Sequence, residues 1–227
     1  MGLLGDDELE RSGVVANCRM NRERDLAGSN GYAREVGFNP LDFLEGRPAP
    51  GRPVAWLDLC CGTGKALIEA ARLIHAGGRD IEVVGVDLVG RFHRPGPGPG
   101  CLRLVEASLA TWHPDRPFDL ITCVHGLHYV GDKLGLIARA ASWLAEDGLF
   151  VANLDLRNLK LEGGKPAGRR VAAGLRRAGL EYDRRRRLIR CQGRKSPDLR
   201  FRYLGADDRA GPNSTGQPAV DSHYEVA

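Results

Sequence analysis

Apolar and polar positions along the chain follow two rhythms. Up to about residue 50 the pattern is broken. Residues 8–36 predict one or two short polar helices, and a further short helix near Pro40 to Leu44 runs into the Pro- and Gly-rich stretch 46–53, which reads as a linker. Beyond it, short apolar runs alternate with helical spacing. Residues 54–59 are apolar at nearly every position and stop at Gly62 and Gly64, as expected of a strand buried on both faces. From Lys65 to His75 the apolar residues fall at 66, 67, 70, 71, 73 and 74, a helical period that Gly77 and Gly78 end. Further strands are predicted over 81–86, 102–105, 118–124 and 149–154, with a helix over 133–144.

Strands alternating with helices imply βαβ units and a parallel sheet. The predicted fold is therefore α/β: a Rossmann-like, mostly parallel sheet with helices on both faces. After a helix over 169–178, runs at 184–191 and 199–205 read as an antiparallel hairpin at the sheet edge, and the last 22 residues read as loop. The division expected is a small N-terminal helical cap and linker over 1–50, and a core over 51–227 ending in a lid-like tail.

Composition narrows the setting. Six cysteines form no Cys-x-x-Cys pair and no His cluster accompanies them, so neither a metal site nor a disulfide framework is expected. No run reaches the roughly 18 apolar residues of a membrane span, and the start lacks the basic and apolar regions of a secretory signal. A cytoplasmic location is expected, where the sequon Asn213-Ser214-Thr215 would go unused. Arginine outnumbers lysine 28 to 5, yet the net charge is only +4. Arg169, Arg170, Arg176, Arg177 and residues 184–187 form a candidate basic face, but near-balance of charge argues against a nucleic-acid partner.

A strand that ends in a glycine turn and opens a helix suits a nucleotide-like ligand. A P-loop fails here, because Ala66 follows Gly64-Lys65 and Leu59 stands where its first glycine belongs. A dinucleotide fingerprint fails at Leu67, its third glycine position, and Asp58 before the turn would repel a pyrophosphate. An acid there suits a ligand carrying an ammonium and a sulfonium.

Asp58-Leu59-Cys60-Cys61-Gly62-Thr63-Gly64 resembles the first motif of class I S-adenosylmethionine-dependent methyltransferases, acid-x-Gly-x-Gly-x-Gly, with Cys60 in place of the first glycine. Asp87, 23 residues after Gly64, matches the family's ribose-binding acid, and Ser108 stands where relatives often carry an adenine-binding Asp. Phe118 to Ile121 and Leu127-His128 resemble its fourth-strand segment. The resemblance covers roughly 52–155. It implies a bound S-adenosylmethionine, held by Asp58, Cys60, Cys61, Gly62, Gly64, Asp87, Leu88, Ser108 and Leu109, with Tyr32 from the cap.

Ligands of open α/β sheets lie beyond the carboxyl ends of the strands. There His125 and His128 are the catalytic candidates, since histidine titrates near neutrality and can take an acceptor's proton. Asn21, Arg22, Arg24 and Tyr32 are candidates to touch substrate or the methionine carboxylate, and Asp207, Asp208, Asn213, His223 and Tyr224 to form a second lid. The expected reaction is O- or N-methylation of a small molecule. The alternatives are a non-methylating use of the same cofactor, such as cyclisation, and methylation of nucleic acid.

Overall fold

Strand β1 (Val54–Leu59) is buried at all six positions, which is what a strand covered on both faces requires. The computed structural model describes residues 2–16, 23–48, 51–93, 99–213 and 216–227. Four short helices precede β1: α1 (Asp6–Glu10), α2 (Gly13–Ala16), α3 (Tyr32–Val36) and α4 (Pro40–Glu45). Then follow α5 (Lys65–Ala76), β2 (Ile81–Asp87), β3 (Leu102–Glu106), β4 (Phe118–Cys123), α6 (Lys133–Ser142) and β5 (Leu144–Asn153). The C-terminal part holds β6 (Leu159–Leu161), α7 (Gly168–Arg177), β7 (Glu181–Asp183), β8 (Leu188–Gln192), β9 (Phe201–Asp207) and β10 (Asp221–Val226).

Seven strands form one sheet in the order β3-β2-β1-β4-β5-β8-β7. The pairs from β3 through β5 are parallel, and β8 runs antiparallel to both β5 and β7. Alternate residues of β1 enter two cores. Ala55, Leu57 and Leu59 pack with Leu136, Ile137 and Ala140 of α6, and Val54 and Trp56 pack with Leu67, Ala70 and Ile74 of α5. Tyr32, Val36, Leu41 and Leu44 of α3 and α4 join the second core. Part of the stretch before residue 50 thus packs on the sheet itself.

The sequence order reverses at β1, which pairs β2 on one side and β4 on the other. A crevice opens at the carboxyl ends of such strands. Below it Asp119 fixes the sheet: Arg52 donates to both its oxygens at 2.7 and 2.8 Å, and the Ala55 amide donates at 2.8 Å.

The C-terminal part departs from the expected pattern. Residues 184–187 form the turn of a β7–β8 hairpin, so the hairpin partner of β8 precedes it in the chain. The run at 199–205 becomes β9 of a separate three-stranded sheet, β6-β10-β9. The last residues include a strand rather than only loop. In β10, Ser222 and Tyr224 are buried on one face, a period-two pattern masked by polar letters. Buried Lys133 fastens this strand, donating to the carbonyls of Val130 and Val220 and to Ser222 Oγ, each at 2.8 Å. Asn17, Cys18, Arg19, Asn21 and Arg22, and Ser214 and Thr215 of the sequon, lie outside the described residues, as do 94–98.

Candidate active site

After β1 the chain must turn sharply to enter α5. Cys60, Gly62 and Gly64 all take positive φ, at 59°, 62° and 73°. Glycine does this freely, but Cys60 adopts the left-handed region despite its Cβ. The Gly62 amide then donates to Asp87 Oδ2 at 2.9 Å, and the Val89 amide to Oδ1 at 3.1 Å. The acid at the end of β2 is therefore fixed by the turn after β1.

These residues wall a cleft of about 980 Å³, counting its open mouth. Cys60, Gly62, Asp87, Leu88, Leu109 and Gly126 contribute from the sheet side, and Asp6, Leu9 and Glu10 from α1. Among the described residues its charged lining is Asp6, Glu10, Asp87 and Asp132 against Arg139, an acidic balance. Ser108 does not line it but donates to Glu10 Oε1 at 2.5 Å. Burial pushes the Glu10 carboxyl up from its ordinary range, opposed by this hydrogen bond. A carboxylate from α1 thus stands beside the serine at the end of β3.

His125 follows β4 with φ 58°, another left-handed non-glycine residue, and such strain is concentrated at functional sites. Asn153 Oδ1 accepts from its amide at 3.1 Å. Its Nε2 lies 3.0 Å from Glu35 Oε2, at ion-pair distance though not aligned as a hydrogen bond, and buried Nδ1 has no hydrogen-bond partner. The contact with His125 holds Glu35 below the usual carboxylate range. The His128 ring stacks on His125 with centroids 5.7 Å apart. Burial, with His125 and Lys133 nearby, lowers His128 to about 3, which makes it a poor proton acceptor.

His125 lines a second, polar cleft as well, together with Glu35, His128, Asn153 and several arginines. It is the residue described in both clefts. No local pattern marks Glu35 or Asn153, which reach His125 from α3 and β5.

Comparison with known proteins bears on this arrangement. A family model described as a methyltransferase domain matches residues 30–195. The chain belongs to this methyltransferase family. Its cofactor is S-adenosylmethionine, as the turn after β1 implied. No curated protein matches the chain. Among solved structures, the methyltransferase is similar to phospholethanolamine N-methyltransferase 2 of Haemonchus contortus, at 14% identity over 66% of this chain and 35% of that one, TM-score 0.44. An amino pentose methyltransferase from Micromonospora echinaspora is 24% identical over 44% of this chain and 42% of that one, TM-score 0.34. For YjhP of E. coli the values are 17%, 61% and 54%, with TM-score 0.42. The methyltransferase spans between about a third and just over half of these structures' lengths.

The acidic cleft fits a ligand bearing a sulfonium and an ammonium, and the glycine turn lets backbone approach it closely. Of the residues expected to hold the cofactor, Cys60, Gly62, Asp87, Leu88 and Leu109 line the cleft of the methyltransferase. Cys61 is buried behind the turn, its amide donating to the Val86 carbonyl at 3.0 Å. Gly64 caps α5 against Leu104. Asp58 and Tyr32 are held within the core instead. Tyr32 donates to Asp58 Oδ2 at 2.7 Å, Thr122 donates to Oδ1, and Trp56 Nε1 donates to Thr122 at 2.8 Å. Burial raises Asp58 to about 7. Tyr224, expected in a lid, is a fully buried anchor that accepts from the Leu134 amide at 3.0 Å.

Proposed function

We propose that this chain methylates an oxygen or nitrogen of a small molecule, with His125 as the general base. The observation that carries the reading is that His125 stands where the acidic cleft meets the polar one. S-adenosylmethionine brings an already activated methyl group, so positioning supplies much of the rate. Asp87 would take the ribose hydroxyls, and the turn at Cys60 and Gly62 the neighbouring part of the cofactor. Glu10, beside Ser108, would accept from the adenine amino group, a role for which the neutral serine is poorly suited alone.

Glu35 orients His125. The carboxylate 3.0 Å from Nε2 would favour the tautomer protonated there, which leaves the Nδ1 lone pair for the acceptor's proton. The neutral His128 ring supports it by stacking. Residues 1–50 act as a cap, through α1 on the cofactor cleft and Glu35 on the base, over a core of 51–227. A cytoplasmic setting fits the five described cysteines, which are all free, and no described helix is long and apolar enough to cross a membrane.

The test is incubation with S-adenosylmethionine and a library of hydroxylated and amine-bearing small molecules, read by mass spectrometry. The expected product gains one methyl group while S-adenosylhomocysteine accumulates. Cofactor cleavage without methyl transfer, or methylation confined to nucleic acid, would sink this reading.

A further inference from the structure

The polar cleft beside His125 carries a charge opposite to that of the cofactor cleft. Among the described residues its charged lining is Arg24, Arg34, Arg186 and Arg187 against Glu35 and Asp155. Both carboxylates are already engaged. Glu35 faces His125 and Arg24, at 3.0 and 3.3 Å, and Asp155 accepts a two-pronged contact from Arg157. Among the described residues, Arg34, Arg186 and Arg187 reach no carboxylate at ion-pair distance.

These three arginines are placed by the fold. Asp183 Oδ1 accepts from the amides of Arg185 and Arg186 at 2.8 and 2.9 Å, closing the turn between β7 and β8. Arg186 Nη2 donates to the Arg34 carbonyl at 3.3 Å. Its guanidinium lies over Gly37, where an added Cβ would sit 2.4 Å from Nη1, and Gly37 itself takes a positive φ of 89° that favours glycine. Arg187 takes a left-handed φ of 52°, and its carbonyl accepts from the Leu154 amide at 2.8 Å. Leu154 follows Asn153, which holds His125. The arginine turn and the base are thereby fastened to one short segment.

We infer that the methyl acceptor carries an anionic group, a carboxylate or a phosphate, which seats on Arg34, Arg186 and Arg187 while its hydroxyl or amine faces His125. This rests on the reading of His125 as the acceptor's base. The guanidinium fork matches both kinds of oxyanion, and a cleft lined by one sign of charge concentrates ligands of the other. The two clefts thus sort a cationic donor from an anionic acceptor on either side of one histidine.

The experiment is isothermal titration of inorganic phosphate, and in parallel of malonate, into the full chain saturated with S-adenosylhomocysteine. Saturable binding of at least one probe is expected, and the tighter of the two identifies the oxyanion. The double variant Arg34→Gln, Arg187→Gln should weaken it by about tenfold or more. Arg187→Lys should keep part of the affinity, and Arg103→Gln, at an exposed arginine outside both clefts, should leave it unchanged. Affinity for S-adenosylhomocysteine should stay the same throughout. Absence of saturable binding by both anions, or binding indifferent to the double variant, overturns the proposal. So does a short single-stranded RNA that uses the same arginines and binds in preference to both probes. Failure of S-adenosylhomocysteine itself to bind would instead remove the cofactor-site reading.

Discussion

A Cβ added at Gly126 would lie 2.4 Å from Cys60 Cβ and 2.8 Å from its Sγ. Cys123 Sγ closes the same space at 2.9 Å. The side chain gained at position 60 is thus accommodated by the side chain absent at position 126. The turn after β1 and the turn after β4 fit as a pair.

Gly126→Ala should therefore lower the melting temperature and weaken S-adenosylhomocysteine binding together. Overpacking of this kind typically costs about 1–3 kcal/mol. Cys60→Gly should be tolerated, because φ 59° suits glycine, and in the double variant it should restore part of the loss. Strictly additive melting temperatures would show that the two residues do not share this space.

Asp87→Ala should raise the dissociation constant for S-adenosylhomocysteine by about ten- to a hundredfold, the worth of charge-assisted hydrogen bonds of roughly 1.5–3 kcal/mol. Calorimetry on a variant verified as folded checks this. An unchanged constant would mean that the carboxylate is not the ribose ligand.

His125→Gln should cut kcat by about 10²–10⁴-fold with cofactor affinity nearly intact, as for loss of a general base. Glu35→Gln should produce a smaller fall in kcat and displace the pH–rate profile, since it removes the charge facing Nε2. His128→Gln should act mainly on stability. A His125→Gln enzyme with near-normal turnover would eliminate the base.

Asp58 gives stability a particular pH dependence. Its folded value, about 7, is above the unfolded carboxyl range, so between roughly pH 4 and 7 the folded state holds a proton that the unfolded state has lost. The stabilisation is complete below that window and disappears as pH rises through it. In Asp58→Asn, which keeps the shape without the titration, the melting temperature should vary less across pH 4–7. An identical slope in both proteins would show that Asp58 does not titrate there.

Much of the framework was legible in the chain because its causes are local. The apolar run at 54–59, the glycines at 62 and 64 and the helical spacing from Lys65 lie within one βα unit, where hydrophobic period and the conformational freedom of glycine announce the turn. Asp87 was legible through the resemblance to the family's ribose-binding acid at the end of the second strand. The catalytic environment was not, because it is assembled from distant segments. Ser108 and Glu10 are 98 residues apart, and Arg186 and the Arg34 carbonyl 152 apart. The basic run at 184–187 read as a surface face until the β7–β8 turn carried two of its arginines beside His125. Strand β10 stayed hidden because Ser222 is polar in sequence, and its hydroxyl meets its partners, Lys133 Nζ and the Gly131 carbonyl, only in the folded chain. Sequence by itself determined the sheet's parallel core and the cofactor turn, since short-range sterics and hydrophobic period act there. The partners of His125, the inward place of Asp58 and the charge of each cleft were decided by tertiary packing, because hydrogen bonds and fields act through space between residues that no sequence spacing connects.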